Sequence, residues 1–437
     1  MGDIVCKFGG SSLADEDQIR KAIEIVEARS ERRFVVPSAP GKRDDGDTKV
    51  TDLLYLCHEL ARQKVDIAEP FSYLKRRFLG ITEALGLDLD MKGLLDQLRV
   101  DIEQGASTDY VASRGEHLNG RILASALRAK FVEPAEVIRF GRSGTLDPDS
   151  YDGIARKLSG SGRFVIPGFY GAEADGEIKT FSRGGSDITG AVVARAISAD
   201  VYENWTDVSG MLMADPRVVS DAKPVTEITY REIRELAYMG ASVFHDEAMF
   251  PVREAGIPVN IRNTNCPDDA GTMILPERDM SKQALAGVAG RANFSMLFIE
   301  KALMNQTKGF GRRVLDVIAE QDISYEHSPS GIDTMSVIIS DDELGGKGPE
   351  LVSKIEQVLQ PDRVTLLPGL ALIATVGEGM SHRIGIAARL FAALADAEVN
   401  VRVIDQGASE INIIVGVEAA DFERAVQAIY RAFEDES

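Results

Sequence analysis

The alternation of apolar and polar positions at the start of the chain predicts a strand, a glycine turn and a helix. Residues 4–8 are largely apolar, as in a buried strand, and Gly9-Gly10-Ser11-Ser12 interrupts them. Asp15 then stands as a helix N-cap before apolar positions at helical spacing, namely Ile19, Ala22, Ile23 and Val26. Lys7 thus lies at the carboxyl end of the first strand, where open α/β sheets bind their ligands.

The same alternation continues through the first half of the chain. Short β-rich segments predict strands at residues 33–39, 137–138, 163–167 and 200–205, and helical patterns separate them, the first at residues 51–60. Strands that alternate with helices predict a mostly parallel sheet with helices on both faces. Neither GxGxxG after the first strand nor GxxxxGK before Ser or Thr is present, so the pattern favours neither a dinucleotide fold nor a P-loop.

Residues 180–189 carry the first candidate chemistry. They include, in order, Arg183, Gly184, Gly185, Ser186 and Asp187, and a compact helix-forming segment follows at 190–197. A glycine pair that opens a helix exposes backbone N–H groups, and the helix N-terminus adds partial positive charge, so the stretch can bind an anion. Arg183 adds a planar set of donors that suits a carboxylate or a phosphate. The alternative is a glycine turn before an ordinary core helix, and this stretch alone leaves both open.

Lys7 is the second candidate. A lysine at the end of an apolar strand is costly to bury without an anionic partner, and the adjacent glycine pair favours a phosphate as that partner. The alternative is a lysine whose side chain extends to solvent.

Composition narrows the class of protein. The chain has 437 residues, enough for two or three domains, and a formal charge of −20, which disfavours binding to nucleic acid or to an anionic membrane. Three widely spaced cysteines indicate neither a disulfide framework nor a zinc site. The N-terminus enters the first strand without an apolar signal region, and no stretch is apolar enough to span a bilayer. We therefore expect a cytoplasmic protein.

Three motifs occur in a fixed order: Lys7-Phe-Gly-Gly-Ser-Ser12, Ser182-Arg-Gly-Gly-Ser-Asp187 and the segment from Trp205 to Arg217. Together they resemble the aspartate kinases (aspartokinases) of the amino-acid kinase family, over essentially the whole chain. The resemblance implies an α/β amino-acid kinase fold, a mostly parallel sheet between helices, followed by two α+β ACT modules of ferredoxin-like type. It also implies ATP-dependent phosphorylation of the L-aspartate side chain to 4-phospho-L-aspartate, the first step of lysine, threonine and methionine biosynthesis.

The resemblance also implies roles for individual residues. Lys7 would neutralise charge on the transferring phosphoryl group, and Asp187 would orient the catalytic cations. Arg183 would bind a carboxylate of the substrate aspartate and Glu116 its ammonium group. The other substrate-binding positions are Ser38, Thr51, Phe169 and Ser186. The nucleotide-binding positions are Lys7, Gly9, Gly10, Ser11, Thr206, Asp207, Arg217 and Ser242.

ATP and Mg²⁺ are the implied cofactors, and no residue is assigned as a direct metal ligand. The nucleophile would be the β-carboxylate of the substrate, which is ionised at neutral pH, so the reaction needs no general base. Phosphoryl transfer requires mainly alignment and positive charge around the γ-phosphate. None of the five histidines must therefore be catalytic.

Three features depart from the family pattern. Leu212 stands where many members have a tyrosine, and Ser242 replaces a lysine that would approach the nucleotide phosphates. Residues 41–50 also form a longer loop than usual. These departures concern the nucleotide pocket.

The C-terminal part contains an internal repeat. Met304-Asn-Gln-Thr-Lys-Gly309 recurs 76 residues later as Met380-Ser-His-Arg-Ile-Gly385, and the same offset aligns Gly331 with Gly407. An ungapped match at constant offset predicts duplicated modules, each a strand, a glycine-initiated helix, a strand, a turn and a strand. We predict a catalytic domain at 1–283 and a regulatory region at 284–437, with repeats at about 291–360 and 366–437.

The repeats resemble the tandem ACT domains of aspartate kinases, in which one module can be inserted into the other. The implied effector positions are Met304, Gln306, Thr307, Ser324, Tyr325, Glu326 and Asp333. Glu326 would bind a side-chain ammonium, so lysine is the expected effector and threonine the alternative. A homodimer through the ACT domains is expected, with a tetramer as the alternative, and no dehydrogenase module is expected after residue 437.

Two other functions remain open from the sequence. One is another enzyme of the amino-acid kinase family, acting on glutamate, acetylglutamate or UMP. The pair Glu116 and Arg183 and the duplicated tail argue against it. The other is an effector-sensing protein with an impaired kinase domain, which Ser242 suggests and which the retention of Lys7, Arg183 and Asp187 opposes.

Overall fold

The computed structural model describes residues 2–141, 144–182, 184–241, 246–280 and 283–434. Contacts group the chain into two compact units. The first consists of the described residues of Met1–Met211, Thr226–Tyr230 and Val243–Arg278, and the second of those of Leu212–Val225, Arg231–Ser242 and Asp279–Ser437. Residues 212–225 and 231–241 thus group with the C-terminal part. The domain boundary predicted at residue 283 stays a prediction. Arg183 and Ser242 lie outside the described residues.

The secondary structure is as follows. The strands are β1 (Ile4–Phe8), β2 (Arg32–Pro37), β3 (Lys130–Phe131), β4 (Phe164–Val165), β5 (Tyr170–Ala172), β6 (Ile178–Thr180), β7 (Val201–Thr206), β8 (Met211–Leu212), β9 (Pro224–Val225), β10 (Glu227–Thr229), β11 (Val259–Asn263), β12 (Thr272–Leu275), β13 (Gly287–Glu300), β14 (Thr334–Ser340), β15 (Arg363–Val376), β16 (Val401–Asp405) and β17 (Asn412–Glu418). The helices are α1 (Glu16–Glu27), α2 (Val50–Arg62), α3 (Ala68–Ala84), α4 (Met91–Glu103), α5 (Thr108–Ala126), α6 (Pro134–Val137), α7 (Asp149–Lys157), α8 (Gly185–Ala196), α9 (Tyr230–Tyr238), α10 (Asp246–Glu254), α11 (Phe310–Glu320), α12 (Asp341–Leu344), α13 (Gly348–Leu359), α14 (Ile386–Asp396) and α15 (Phe422–Phe433).

An eight-stranded sheet forms the centre of the first unit, in the order β10-β12-β11-β7-β1-β2-β4-β3. Neighbouring strands are parallel except β11 and β12, which confirms the predicted mostly parallel sheet. β1 lies between β2 and β7, and its register places Lys7 beside Asn204 of β7. The carboxyl ends of β1 and β7 therefore meet at one edge of the sheet, where ligands of such sheets bind.

Single residues at the start of two helices, α1 and α6, determine whether the predicted elements form there. The Asp15 carboxylate accepts a hydrogen bond from the Gln18 N–H at 2.9 Å, which confirms the predicted start of α1. The predicted strand at residues 137–138 is wrong, because Pro134–Val137 forms one helical turn. Pro134 occupies the first turn of that helix, where its fixed φ is favourable, and the Ile138 N–H closes the turn on the Pro134 carbonyl at 2.8 Å.

Helix α5 is largely buried beside the site. A Cβ atom on Gly115 would lie 2.8 Å from the Cβ of Ala39, so the helix approaches the loop after β2 more closely than a larger residue permits. This approach carries the neighbouring Glu116 into the interior, where only 6% of the residue is exposed.

The second unit contains a five-stranded sheet in the order β14-β13-β15-β17-β16, with antiparallel neighbours throughout. β13 begins at residue 287 and β15 at residue 363, which is the predicted offset of 76. Helices α11 and α14 begin at residues 310 and 386, after Gly309 and Gly385, whose φ angles are +72° and +95°. The glycine-initiated helices and the duplication are therefore confirmed, while the limits of the two modules stay a prediction.

The first repeat departs from the predicted order. Residues 325–330, all of them described, form isolated bridges at His327 and Ser330 instead of a strand like β16 of the second repeat. Pro329 lacks an N–H group and so cannot complete a strand ladder there. No helix within the described residues is long and apolar enough to cross a lipid bilayer.

Candidate active site

Lys7 and Asp187 form a largely buried ion pair at the carboxyl edge of the sheet. The Lys7 Nζ lies 2.6 Å from the Asp187 Oδ1. Asn204, beside Lys7 in the β1–β7 register, accepts a hydrogen bond from the same Nζ at 3.3 Å and donates one to Asp187 Oδ1 at 3.0 Å. The two predicted catalytic residues are thus together, and Asn204, which the sequence analysis missed, binds both.

The glycine turn, defined here as residues 9–14, covers the Lys7 ammonium. The Gly9 N–H donates to the Trp205 carbonyl at 2.9 Å, and a Cβ atom on Gly9 would lie 3.6 Å from the Lys7 Nζ. Gly10 fits against Gly41 so tightly that a Cβ on Gly41 would lie 2.5 Å from the Gly10 carbonyl carbon. The backbone alone can approach a ligand this closely, which suits the predicted contact with phosphates.

Helix α8 begins at the predicted anion cradle. Gly184 precedes it with φ of +78°, a left-handed conformation that favours glycine. A Cβ atom on Gly185 would lie 2.5 Å from the ring of Phe169, and one on Gly168 would lie 2.6 Å from the side chain of Ser186. The predicted substrate residues Phe169 and Ser186 are therefore both packed at this helix start, while Arg183 lies outside the described residues.

Phe169 is held in an unusual backbone conformation. Its φ is +81°, which lies in a left-handed region that residues other than glycine rarely adopt. Its N–H donates to the hydroxyl of Thr189 on α8 at 3.0 Å, and its carbonyl accepts from the Phe181 N–H at 2.8 Å. These contacts fix the backbone of Phe169 beside α8.

Glu116 is a buried carboxyl with spare bonding capacity. The backbone N–H of Ala39 hydrogen-bonds to it, and burial raises its pKa to about 8. Its Oε2 atom has no hydrogen-bond partner among the described residues. A buried carboxylate without a countercharge is costly, so this position favours a cationic ligand. The ammonium group of an amino acid has the required charge and donors.

A cleft of about 510 Å³ brings together six of the predicted residues, namely Gly10, Ser11, Ser38, Thr51, Glu116 and Asp207. The loop after β2, residues 41–49, which we call the cleft loop, supplies further charged groups, including Lys42, Arg43 and Lys49. Asn119 on α5 donates to the Ser38 carbonyl at 2.7 Å and so ties the base of this loop to the helix that carries Glu116. The cleft thus places a buried carboxyl opposite a glycine turn.

The predicted nucleotide residues are divided between the units. Thr206 ends β7, and its hydroxyl donates to the Asp207 carboxylate at 3.0 Å. Arg217 belongs to the second unit, where its exposed guanidinium pairs with Asp215 at 2.6 Å. The nucleotide roles of Arg217 and Ser242 stay predictions.

The predicted effector positions lie in the second unit. The turn that contains Met304, Gln306 and Thr307 lies beside Asp333, because the Lys301 N–H donates to the Asp333 carbonyl at 2.8 Å. Ser324 and Tyr325 lead into the stretch beside β14, where the Glu326 N–H donates to the Ile338 carbonyl at 2.8 Å.

The Glu326 side chain already has partners in this structure. Its carboxylate pairs with the Arg291 guanidinium at 3.3 Å and accepts a hydrogen bond from the Tyr238 hydroxyl.

Comparisons with known proteins agree with this geometry. Residues 4–263 match the amino acid kinase family, and residues 373–433 match an ACT domain. The chain is 40% identical to aspartokinase 3 of Bacillus subtilis (strain 168) over 98% of both chains. It is 48% identical to the crystal structure of Clostridium acetobutylicum aspartate kinase, with a TM-score of 0.96 over 98% of this chain and 100% of that one.

Aspartokinase III of E. coli is similar at 28% identity. Its structure in complex with aspartate and ADP has a TM-score of 0.74 and covers 99% of this chain and 100% of that one. Its structure in complex with lysine and aspartate has a TM-score of 0.76 with 99% of both chains covered. The fold and site define a member of the amino-acid kinase family with a C-terminal ACT region. Within that family, the chain belongs to the aspartate kinases.

Proposed function

We propose that this aspartate kinase transfers the γ-phosphoryl group of ATP to the β-carboxylate of L-aspartate in the cleft between the glycine turn and Glu116. The observation that carries the proposal is the buried Glu116 carboxyl, whose Oε2 lacks a partner among the described residues and which lines the same cleft as Gly10 and Ser11. An amino acid bound there by its ammonium group would lie next to the phosphate-binding turn.

The chemistry requires no proton transfer. A β-carboxylate oxygen of aspartate forms a bond to the γ-phosphorus, and the bond to the bridging oxygen breaks, leaving its electron pair on ADP. The carboxylate is already ionised at neutral pH. The enzyme must therefore align the two reactants and stabilise the charge on the transferring group. Lys7 supplies a fixed positive charge for this, and Asp187 and Asn204 hold its ammonium in place.

The residues present also fit Mg²⁺. No group of three or more His, Cys, Asp or Glu side chains in the described ranges could hold a metal by itself. Mg²⁺ commonly binds through one or two carboxylates together with the phosphates of a substrate. Asp187, whose Oδ1 contacts both Lys7 and Asn204, is the carboxylate that would hold the cation here. When bound, Mg²⁺ would neutralise charge on the phosphate oxygens.

The remaining roles follow the family pattern. Arg183 would bind a carboxylate of aspartate, and Ser38, Thr51, Phe169 and Ser186 would line the same pocket. Thr206, Asp207, Arg217 and Ser242 would contact the nucleotide. The location of Phe169 and Ser186 at the start of α8, next to Asp187, supports their assignment to the substrate side.

The regulatory region would bind lysine as an inhibitor, with threonine as the alternative. The E. coli relative, which has been crystallised in complex with lysine and aspartate, supports an amino-acid effector. We propose that Glu326 binds the side-chain ammonium of lysine, with Met304, Gln306, Thr307, Ser324, Tyr325 and Asp333 around it. A homodimer through the ACT region is the expected assembly, with a tetramer as the alternative, and light scattering of the purified protein distinguishes the two.

Hydroxylamine trapping tests the reaction directly. An acyl phosphate reacts with hydroxylamine to a hydroxamate, so ATP and aspartate should give an aspartyl hydroxamate, together with ADP in equal amount. Glutamate, acetylglutamate and UMP serve as competing substrates, with ADP release as the common readout. Turnover of any of these in preference to aspartate would contradict the proposal, and so would an absence of ADP release with every substrate.

A further inference from the structure

Arg77 lies on α3, outside the residues that line the active-site cleft, yet its guanidinium is buried. Only 9% of the residue is exposed, and all three side-chain nitrogens donate hydrogen bonds. The Nε donates to the Ala14 carbonyl at 3.1 Å and Nη1 to the Asp47 carboxylate at 2.6 Å, while Nη2 donates to the Gly41 carbonyl. One side chain therefore contacts both the glycine turn and the cleft loop.

Both of these segments line the cleft. Gly10 and Ser11 come from the glycine turn, and Gly41, Lys42 and Arg43 come from the cleft loop. They also contact each other directly, because the Gly41 N–H donates to the Gly10 carbonyl at 2.8 Å. The relative position of the two segments therefore affects the shape of the cleft.

Asp47 extends the contact into the cleft loop. Its Oδ2 accepts from the backbone N–H of Arg43 at 3.0 Å and from the Arg43 Nε at 2.9 Å, and its Oδ1 accepts from Nη2 at 3.0 Å. The same Oδ2 accepts from Arg77. Hydrogen bonds from Arg43 and Arg77 hold the pKa of Asp47 well below its usual value, so its carboxylate stays charged at any pH at which the enzyme would be assayed.

We propose that Arg77 is a positioning residue for phosphoryl transfer, which fixes the glycine turn and the cleft loop relative to each other through Ala14, Gly41 and Asp47. Arg77 does not touch a reactant; it acts through Gly10 and Arg43. This inference rests on the proposed phosphotransfer in the cleft. It adds a residue to that reaction for which the family motifs above provide no role.

A positioning role predicts a specific kinetic effect. Phosphoryl transfer depends mainly on alignment, and a displacement of about 1 Å can lower the rate by about 10²-fold. Both segments of the cleft would remain after loss of Arg77, but their spacing would no longer be fixed. The turnover number should therefore fall more than the affinity for either reactant. A lysine cannot replace the arginine, because one ammonium cannot reproduce the planar three-nitrogen contact.

The chain offers a matched control on the same helix. Arg76 is adjacent, exposed, and stacks on the exposed Tyr73 ring at 4.6 Å. We would compare Arg77→Met and Arg77→Lys with Arg76→Met, and add Asp47→Asn and the double variant Arg77→Met/Asp47→Asn. Hydroxamate formation gives kcat and the KM for aspartate and ATP, and thermal unfolding shows the temperature range in which each variant is folded.

The expected result is a fall in kcat of about tenfold or more for both Arg77 variants, with each KM changed by less than about threefold. Arg76→Met should stay within about twofold of the wild type, which is the usual limit for a surface substitution. The kcat loss in the double variant should be smaller than the product of the two single losses, because Arg77 and Asp47 act in one contact. Hydrogen exchange at the Gly41 and Arg43 amides should accelerate in Arg77→Met but not in Arg76→Met.

Several results would overturn the inference. One is a folded Arg77→Met enzyme with kcat within twofold of the wild type, and another is an equal loss in Arg76→Met. Multiplicative losses in the double variant would also refute it, since they would mean that Arg77 and Asp47 act independently. If Arg77→Met does not fold, Asp47→Asn and Arg77→Lys test the same contact from its two sides. Failure of the proposed function is distinguishable, because the wild type itself would then form no aspartyl hydroxamate.

Discussion

The hydroxyl of Tyr238 donates a hydrogen bond to the carboxylate of Glu326. Tyr238 is the last residue of α9, and Glu326 is the position proposed to bind an effector ammonium. Burial and the Glu326 hydrogen bond raise the pKa of Tyr238 to about 12, so the phenol is a neutral donor at physiological pH. An effector that binds Glu326 would have to compete with Tyr238 and Arg291 for the same carboxylate.

Removing the Tyr238 hydroxyl should therefore increase sensitivity to lysine. In Tyr238→Phe the Glu326 carboxylate loses one donor, and the hydrogen bond of an exposed side chain such as Tyr238 typically contributes about 0.5–1.5 kcal/mol. We expect the half-inhibitory lysine concentration to fall about three- to tenfold, with kcat unchanged in the absence of effector. The measurement is an inhibition curve for lysine, and one for threonine, on the variant and the wild type.

Glu326→Ala is the opposite test. It should raise the half-inhibitory lysine concentration about tenfold or more, because the charge-assisted contact is lost. Equal lysine inhibition of wild type and Glu326→Ala would reject the proposed pocket. Inhibition by threonine alone would retain an amino-acid sensor but reject lysine as its effector.

Lys7→Ala should lower kcat by about 10²-fold or more and change the KM for aspartate little. The lysine charge is needed mainly when negative charge develops on the transferring group. Steady-state kinetics with the hydroxamate assay provide both constants. A variant that keeps more than about a tenth of the wild-type turnover would remove Lys7 from the catalytic role.

The pH dependence of aspartate binding should reflect Glu116. Burial raises its pKa to about 8 in the free enzyme, and only the ionised form can pair with an ammonium group. Below pH 8, binding must displace a proton, so the KM for aspartate should rise as the pH falls, by up to about tenfold per unit. The expected KM is thus higher at pH 6.5 than at pH 8.5.

Glu116→Gln is the control for that profile. It should raise the KM for aspartate about tenfold or more, leave the KM for ATP nearly unchanged, and abolish the pH dependence between 6.5 and 8.5. Arg183→Lys should likewise affect aspartate more than ATP, because a lysine loses the paired geometry of the guanidinium. If only the KM for ATP changed in both variants, the assignment of Glu116 and Arg183 to aspartate binding would be wrong.

Gly185→Ala should displace Phe169. The added Cβ would lie 2.5 Å from the Phe169 ring and 3.0 Å from the Cβ of Phe181, so the ring or the start of α8 must move. We expect kcat/KM for aspartate to fall about tenfold or more. Gly80→Ala on α3 is the matched control, since a Cβ there meets nothing within 4 Å. It should leave activity unchanged and raise the free energy of unfolding by about 1 kcal/mol, measured by urea denaturation.

The sequence predicted those parts of the site that local pattern encodes. The glycine turn after β1, the N-cap at Asp15 and the glycine-initiated helices depend on a few adjacent residues, and the structure has each of them. Lys7 and Asp187 were predicted as partners in function because each belongs to a motif of the aspartate kinases. The repeat was found because a constant offset needs no knowledge of the fold.

The contacts that the sequence analysis missed depend on how distant segments of the chain pack together in the fold. Asn204 binds Lys7 across 197 positions of the chain, and only the pairing of β1 with β7 places them together. Arg77 looks like a solvated charge on an amphipathic helix until the cleft loop covers it. Tyr238 and Glu326 are 88 positions apart, on elements that no periodicity connects. The strand expected at residues 137–138 failed because Pro134 started a helical turn just before it.

The two long strands of the regulatory sheet have a consequence for how that region can be dissected. The first half of β13 pairs with the last half of β15, beside β17, whereas its second half lies between β14 and the first half of β15. The two ACT modules therefore share β13 and β15, and each module contains about half of either strand. Cutting the chain between the repeats would leave two fragments with unpaired strand edges, so we expect neither repeat to be an autonomous folding unit. The duplication repeats a sequence segment, but we expect the pair of repeats to be the smallest part of the regulatory region that folds by itself or can be moved into another enzyme.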